Sequence, residues 1–150
     1  MILFVDNATN VQNISYICDE QPKKYLMNQH FCILCLGSNS GRHAHIAHAR
    51  RALTRHFPDI RFGEEMETEA IGCGFLSPFS NQLARFSTLL SPEEVRSILK
   101  SIEKDNGRLP EDKAQGIVKL DIDLLMYDEQ VLKPKDMEKD FVRQGLKAFK

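Results

Sequence analysis

The order of the apolar segments is the feature that most constrains the fold of this chain. A continuous apolar run, FCILCLG at 31–37, and a mostly apolar segment, IVKLDIDLLMY at 117–127, each predict one strand. Between them lie two helical patterns and two weaker strand patterns, at 60–70 and 81–90. This order predicts an α+β fold with a ferredoxin-like βαββαβ core, in which an antiparallel sheet carries the helices on one face.

Both helical patterns have recognisable boundaries. The first, at 42–57, is followed by Pro58 as a stop. The second begins with the sequence SPEE at 91–94, which predicts a capping box with proline in the first turn, and Gly107 suits the residue beyond its end. The predicted apolar faces consist of Ile46, Ala49 and Leu53 in the first helix and of Val95, Ile98, Leu99 and Ile102 in the second.

The ends of the chain carry weaker patterns. We expect an edge strand at 129–132 and a short C-terminal helix at 136–149. Residues 1–26 show no sustained periodicity, and a chain of 150 residues with 42% hydrophobic content fits one domain. We therefore predict a folded domain at 27–150, preceded by an N-terminal extension (1–26) that is disordered, loosely held or an upstream start-site artefact.

Composition argues against several classes of partner. The net charge of −1 gives no broad cationic surface for nucleic acid, and the longest apolar runs are too short to span a membrane. Four scattered cysteines predict reduced thiols and a cytoplasmic location. Cys32 and Cys35 lie three residues apart in a predicted strand, where their side chains point to opposite faces, so we expect ordinary buried cysteines and no shared metal.

Asp121 and Asp123 are the residues that point most directly to chemistry. Aspartate is depleted in strands, yet these two interrupt an otherwise apolar strand. Their spacing puts both carboxylates on one face, about 7 Å apart along the chain. Hard cations such as Mg²⁺ prefer oxygen ligands and reach phosphates through one or two carboxylates. The alternative interpretation is that this face is solvated and merely tolerates the two charges.

Three closely spaced histidines suggest a metal site at first sight. His43, His45 and His48 lie on the first predicted helix, but at about 100° per residue His43 and His45 point nearly opposite ways. We expect them to form part of a solvated basic face.

Four short segments together resemble one enzyme family. LGSN at 36–39, Ile102-Glu103 followed by Gly107-Arg108, and LDIDLLMY at 120–127 are similar to the successive signatures of the 6-hydroxymethyl-7,8-dihydropterin pyrophosphokinase family. The resemblance implies an enzyme that transfers pyrophosphate from ATP to the hydroxymethyl group of the reduced pterin and releases AMP, as a step toward folate. It implies two Mg²⁺ ions and small-molecule substrates, and it leaves protein partners and oligomeric state open.

The resemblance also implies roles for individual residues. Asp121 and Asp123 match the pair that holds the two magnesium ions, Arg108 matches an arginine that contacts the triphosphate, and Glu103 matches a position near ATP. Glu103 also suits the exposed end of its helix, and Arg108 alone would be read as a solvated residue. The positions that match the pterin side are Phe79, Asn81, Phe141, Thr68 and Gly72; each phenylalanine by itself would be read as a core residue.

Several cationic positions of the family are changed in this chain. The resemblance places Pro110 and Val118 where the family has arginines, and Gln115 where it has a tryptophan. We expect Lys119, in line with Asp121 on the same strand face, and Lys135 to restore part of the cationic shell around the triphosphate. Two alternatives stay open: a catalytically weakened paralogue that binds pterin or nucleotide without efficient transfer, and a ferredoxin-like interaction module that uses neither ligand.

Overall fold

The structure of this chain, a computed structural model, describes residues 29–70 and 77–149. The predicted extension at 1–26 and the predicted pterin-side residue Gly72 lie outside these ranges, so both stay predictions. No helix in the described ranges combines the length and apolar character that a bilayer crossing requires.

The described residues form one five-stranded sheet with helices on both of its faces. Its strands follow the order β2-β3-β1-β4-β5, and every neighbouring pair is antiparallel. The α+β class is thus confirmed, and the order of the first four strands is consistent with the ferredoxin-like arrangement. In chain order the elements are β1 (His30–Ser38), α1 (Arg42–His56), β2 (Arg61–Thr68), β3 (Phe79–Thr88), α2 (Pro92–Asp105), a 3₁₀ turn (Asp112–Gln115), β4 (Asp121–Tyr127), β5 (Gln130–Val131), α3 (Pro134–Met137) and α4 (Asp140–Lys147).

Helices α1 and α2 cover one face of the sheet and build the main core. The apolar faces predicted for them are confirmed, with Ile46, Leu53 and Leu99 at most 1% exposed. The opposite face carries a smaller apolar cluster, in which Val142 of α4 packs with Leu83 and Leu125. The short C-terminal helix therefore lies across the sheet from α1 and α2, where it leaves one end of that face to polar residues.

The local signals for α2 are confirmed. Ser91 accepts a hydrogen bond from the backbone N–H of Glu94, and the Glu94 carboxylate accepts one from the backbone N–H of Ser91. These two bonds satisfy donors that the first turn of a helix leaves without partners. Gly107 has a φ of 75°, the left-handed conformation that glycine adopts without steric cost.

Two predicted elements differ from the structure at their ends. The predicted strand at 117–127 begins only at Asp121, because the backbone N–H and C=O of Val118 bond to Asn39 instead of a neighbouring strand. The predicted terminal helix at 136–149 is two helices, α3 and α4. The predicted edge strand is confirmed as β5.

The predicted orientation of Cys32 and Cys35 toward opposite faces of the sheet is confirmed. Cys32 lies in the core beneath α1 and α2, whereas Cys35 packs on the opposite face. Burial raises the pKa of both thiols to about 12, so they stay protonated and unreactive at neutral pH. The three histidines of α1 have separate partners, namely Glu65 for His43, the Ser40 carbonyl for His45 and Asn106 for His48.

Gly145 lets α4 approach the sheet closely. A Cβ atom at this position would lie 2.7 Å from Cδ1 of the buried Leu83 and 3.3 Å from Cε of Met66. We expect Gly145→Ala to lower the midpoint of thermal unfolding, because overpacking costs about 1–3 kcal/mol and alanine's higher helix propensity returns only about 1 kcal/mol. The exposed neighbour Gln144→Ala is the control, and an equal or higher midpoint for Gly145→Ala would contradict this packing.

Candidate active site

Asp121 and Asp123 lie on the face of the sheet that α4 covers only in part. Ile122 and Leu124 alternate with them and point into the core under α1 and α2. The side chains of Asp121 and Asp123 are 36% and 31% exposed. The predicted common orientation of the two carboxylates is consistent with this alternation.

The two carboxyl groups influence each other's ionisation. Burial raises the pKa of Asp123 above its ordinary value, and the adjacent charge of Asp121 raises it further. Burial acts on Asp121 in the same direction, but hydrogen bonds from Asp123 and Arg108 hold the pKa of Asp121 below its ordinary value. Two carboxylates that resist ionising together form a place where a bound cation is electrostatically favoured.

Arg108 joins the aspartate pair to the end of α2. Its Nη1 atom lies 2.9 Å from Oδ1 of Asp121 and 2.9 Å from Oε2 of Glu103. The two carboxylates raise the pKa of Arg108 against the opposing effect of its partial burial, so the guanidinium is permanently charged. Arg108 is therefore an oriented residue at the site and not the solvated residue that its sequence position would suggest by itself.

Glu103 is buried, which corrects the expectation that it suits an exposed helix end. Its side chain is 3% exposed, and its carboxylate accepts hydrogen bonds from Lys100 and from the backbone N–H of Ile122, the latter at 2.8 Å. Ile122 lies between the two aspartates. Glu103 thus fixes both Arg108 and the strand that carries the pair, because α2 packs against β4 at this point.

One row of paired residues crosses three adjacent strands and includes Asp121. Asp121 of β4 pairs with Gly37 of β1, and Gly37 pairs with Asn81 of β3. Adjacent strands are about 4.8 Å apart, so the backbones of Asp121 and Asn81 are separated by roughly 10 Å. Gly37 has no side chain, so the surface between the two polar residues is low.

Three of the residues that match the family's pterin side lie together at the other end of this row. The side-chain amide of Asn81 donates a hydrogen bond to Oγ1 of Thr68 at 2.7 Å. A Cβ atom on Gly37 would lie 3.5 Å from Oδ1 of Asn81 and 4.0 Å from Cδ1 of Phe79, so these two side chains border the low surface. Phe141 is partly buried on the same face of the sheet, against the smaller apolar cluster.

Lys119 does not lie on the strand face where it was predicted, whereas the predicted role of Lys135 stays a prediction. Lys119 precedes β4 instead of lying within it, and its ammonium group donates to the carbonyl of Gly107 at 2.8 Å and lies 3.5 Å from Asp112. Lys135 is exposed on α3. The lysine nearest to the pair is Lys133, whose Nζ lies 3.5 Å from Oδ1 of Asp123. Lys133 was not among the predicted site residues. The local feature that could have pointed to it is its position directly before Pro134.

Two surface cavities lie away from these residues. One, of about 340 Å³, is lined by arginines of α1, and another, of about 430 Å³, surrounds Phe31 and Arg85 at the opposite end of the sheet. Neither is lined by Asp121 or Asp123. Asp121 and Asp123 are both partly exposed, so the pair is accessible from solvent.

The chemistry of the pair fits a divalent cation that also binds phosphate. Among the described residues, no group of three or more histidine, cysteine, aspartate or glutamate side chains could hold a metal ion by itself. Two carboxylates are what Mg²⁺ commonly takes from a protein when phosphate oxygens complete its coordination. The residues present therefore fit a metal that arrives with a phosphate ligand.

Comparisons with known proteins found one matching family and a similar curated protein. A family model described as 7,8-dihydro-6-hydroxymethylpterin-pyrophosphokinase matches residues 33–150, which is most of the chain. A 2-amino-4-hydroxy-6-hydroxymethyldihydropteridine pyrophosphokinase from Aquifex aeolicus (strain VF5) is 32% identical over 103 residues. Those residues make up 68% of this chain and 64% of that relative, so the match spans less than two thirds of the relative. This chain belongs to the 7,8-dihydro-6-hydroxymethylpterin-pyrophosphokinase family.

Proposed function

We propose that this protein transfers pyrophosphate from Mg-ATP to the hydroxymethyl group of 6-hydroxymethyl-7,8-dihydropterin and releases AMP. The observation that carries the proposal is the row from Asp121 through Gly37 to Asn81. This pairing aligns the carboxylate of Asp121 and the side-chain amide of Asn81 on one face of the sheet; in the proposed function the carboxylate binds the cation and the amide contacts the edge of the pterin. Membership of the family supports the same reaction.

The proposed transfer needs no protein nucleophile. The hydroxymethyl oxygen of the pterin forms a bond to the β-phosphorus of ATP, and the bond from that phosphorus to the oxygen bridging the α-phosphorus breaks. AMP leaves with the bridging oxygen, and the hydroxyl proton passes to solvent. Such transfers depend mainly on positioning and on stabilising charge, which are tasks for fixed cationic and polar groups.

The phosphate side of the site combines Asp121, Asp123 and Arg108. In the proposed function the two aspartates hold Mg²⁺, which supplies neutralisation of the charge that develops on the phosphate oxygens. Arg108 presents a planar, permanently charged fork that matches phosphate geometry. Its existing bond to Asp121 keeps the guanidinium at the place where a triphosphate would meet the pair.

The pterin side relies on Asn81, Thr68 and the phenylalanines. An asparagine amide offers a donor and an acceptor to the edge of a heterocycle, and the bond to Thr68 fixes the direction of that amide. Phe79 borders the same surface, and in the proposed function its ring stacks on the pterin. We propose Phe141 as the second ring and Gly72 as a further contact.

Gly37 allows a direct test of this surface. We expect Gly37→Val to weaken binding of the pterin by about tenfold or more, because the branched side chain would fill the space beside Asn81 and Phe79, at a cost of about 1–3 kcal/mol. Gly37→Ala should have a smaller effect, since its Cβ would make only ordinary contacts at 3.5 Å and 4.0 Å. Calorimetric titration measures both. Equal pterin affinity in the valine variant, with unchanged thermal unfolding, would place the pterin elsewhere.

One assay tests the proposed function as a whole. AMP formation is measured with ATP, Mg²⁺ and 6-hydroxymethyl-7,8-dihydropterin, and a parallel reaction omits the pterin. Pterin-dependent AMP supports the transferase. Absence of AMP from a protein that binds neither ligand by calorimetry would overturn it and would favour an interaction module.

A catalytically weakened protein is the second candidate, and the surroundings of the aspartates favour it. The backbone N–H of Val118 donates a hydrogen bond to Asn39, and the side chain of Val118 carries no charge. The ammonium group of Lys119 donates to the carbonyl of Gly107. Each charge-assisted contact to phosphate contributes about 1.5–3 kcal/mol, so a missing contact costs roughly ten- to hundredfold in rate. Pterin and nucleotide binding without pterin-dependent AMP would identify this candidate.

A further inference from the structure

We propose that the cavity beside Phe31 and Arg85 binds a small aromatic anion, which is a flat ring that carries a phosphate or carboxylate group. The cavity has a volume of about 430 Å³. Phe31 lies six residues before Gly37 on β1, and Gly37 pairs with Asp121. Six residues of a strand span about 20 Å, so this cavity is separate from the candidate active site and the inference does not depend on the proposed function.

The lining of the cavity combines apolar surface with two cationic side chains. Its apolar members are Phe31, Pro58, Ile60 and Phe86, and its cationic members are Arg61 and Arg85. Sites for small molecules typically measure about 300–1,000 Å³ and are mostly apolar, with a few polar groups that fix the orientation of the ligand. The cavity therefore has the size and the lining of a small-molecule site.

The two arginines lie directly opposite each other in the sheet. Arg61 of β2 pairs with Arg85 of β3. Directly opposite residues have Cβ atoms about 4.5–5.5 Å apart, and like charges at such positions destabilise a sheet. Among the residues that the structure describes, neither arginine forms an ion pair with a carboxylate. An oxyanion bound by both side chains would offset this repulsion, and a guanidinium group matches the geometry of phosphate and carboxylate.

Arg85 has no hydrogen bonds that would commit it to a structural role. Its Nε atom is buried and has no hydrogen-bond partner within residues 29–70 and 77–149. Buried polar groups nearly always have a partner, so such a donor calls for a physical reason. The guanidinium carbon lies 5.8 Å from the centre of the Phe149 ring, which supports the side chain from one side. An anionic ligand supplies the acceptor that the protein itself does not.

The ring of Phe31 lies on the same face of the sheet as Arg85. Phe31 pairs with Ser87, and Ile33 pairs with Arg85, across the ladder between β1 and β3. Side chains two residues apart on a strand share a face, so Phe31 and Arg85 are diagonal neighbours, about 7–8 Å apart in usual sheet geometry. Phe31 is 40% exposed although β1 has a strand on either side. A flat ring stacked on Phe31 would direct its anionic group toward Arg85.

One carboxylate also lines the cavity. Oδ2 of Asp59 accepts a hydrogen bond from the backbone N–H of Ser87 at 2.9 Å, which ties the segment after α1 to the end of β3. Two arginines against one aspartate leave the lining with a net positive charge. Asp59 opposes an anion in the cavity, so its neutralisation should tighten binding.

The test is an NMR titration of the ¹⁵N-labelled full chain with phenyl phosphate and, separately, with benzoate. We expect at least one probe to shift the backbone signals of residues 59–61 and 85–87 and the Nε–H signal of Arg85 to saturation. The tighter probe identifies the anionic group. Inorganic phosphate and phenol should each bind at least about tenfold more weakly than the tighter probe, because each lacks one half of the recognised ligand.

Variants separate the two arginines from general charge. Arg85→Met keeps an apolar stem against Phe149 but removes the charge, and it should weaken probe binding by about tenfold or more. Arg61→Gln, on the outer strand β2, should act in the same direction and provides the test if Arg85→Met fails to fold. Asp59→Asn should tighten binding. Arg96→Gln is the control, because this exposed arginine of α2 lies outside the cavity lining and its loss changes the net charge equally.

Three results would overturn the inference. The first is that neither probe shifts these signals, or that the shifts are confined to the neighbourhood of Arg108 and Asp121. The second is that inorganic phosphate binds as tightly as phenyl phosphate and benzoate, so that the ring contributes nothing. The third is unchanged probe affinity in the folded variants of both cavity arginines. None of these measurements involves ATP or a pterin, so the proposed function stands or fails independently.

Discussion

Asp123→Asn is expected to lower kcat for pyrophosphate transfer by about a thousandfold or more, while the protein stays folded. Asparagine keeps the shape of the side chain but removes the charge that would hold Mg²⁺. Metal-assisted charge stabilisation contributes several kcal/mol to the transition state, and each 1.36 kcal/mol corresponds to a factor of ten in rate. Steady-state AMP formation at several Mg²⁺ concentrations measures the loss, and a kcat within tenfold of the unaltered protein would contradict a metal role for Asp123.

The same substitution is expected to raise the thermal stability of the free protein near neutral pH. Burial and the charge of Asp121 raise the pKa of Asp123, so the folded state disfavours ionised Asp123 relative to the unfolded state. This destabilisation is absent below the ordinary pKa of aspartate and fully present once the pH exceeds the raised value. The gain in unfolding midpoint should therefore shrink as the pH falls toward that ordinary value.

Asp105→Asn is the control for both measurements. Asp105 is an exposed carboxylate at the last residue of α2. The Asp105→Asn variant should leave kcat unchanged and change the free energy of unfolding by less than about 0.5 kcal/mol. A stabilised Asp123→Asn variant without activity would show that the site keeps two adjacent charges at a cost to stability.

Glu103→Ala is expected to destabilise the fold by about 2–4 kcal/mol and to lower kcat/KM for ATP. The buried carboxylate bonds to Arg108 and to the backbone N–H of Ile122, and its removal leaves that N–H without a partner. A hydrogen bond to a charged group contributes about 1.5–3 kcal/mol, and an unsatisfied buried donor costs about 1–3 kcal/mol. Without Glu103, Arg108 loses the bond that holds it at the end of α2.

Two variants isolate these contributions. Glu103→Gln keeps an acceptor for Ile122 and should be less destabilising than alanine, yet it removes the charge that orients Arg108. Lys100→Ala removes only the 63% exposed partner of Glu103 and should cost less than about 1 kcal/mol. Urea unfolding ranks the three variants. If Glu103→Ala is as stable as Lys100→Ala, the buried carboxylate is not the support inferred for β4.

Features that depend on neighbouring residues in the chain could be predicted from the sequence. The capping box at Ser91 and Glu94 is one such feature, and the opposite orientation of Cys32 and Cys35 is another. Both follow from the fixed geometry of a single helix turn or a single strand. The LDIDLLMY segment likewise gave the alternation that separates the two aspartates from the core residues between them.

Features that depend on contacts between distant segments could not be predicted in this way. Glu103 looked suited to an exposed helix end, and it is buried because α2 packs against β4. Lys119 looked aligned with Asp121, but the bonds between Asn39 and Val118 delay the start of the strand and leave Lys119 beside Gly107. Spacing along the chain carries no information about which partner a long, flexible side chain reaches.

The sequence alone determined the strand and helix order, the paired carboxylates and the family likeness, because these depend on local periodicity and on residue types at fixed spacings. The tertiary structure decided which residues share the site. The register of three strands aligns Asp121, Gly37 and Asn81, and the packing of α2 brings Glu103 and Arg108 to the same carboxylate. Register and packing arise from pairing between segments far apart in the chain, and one sequence does not encode that pairing in any local pattern.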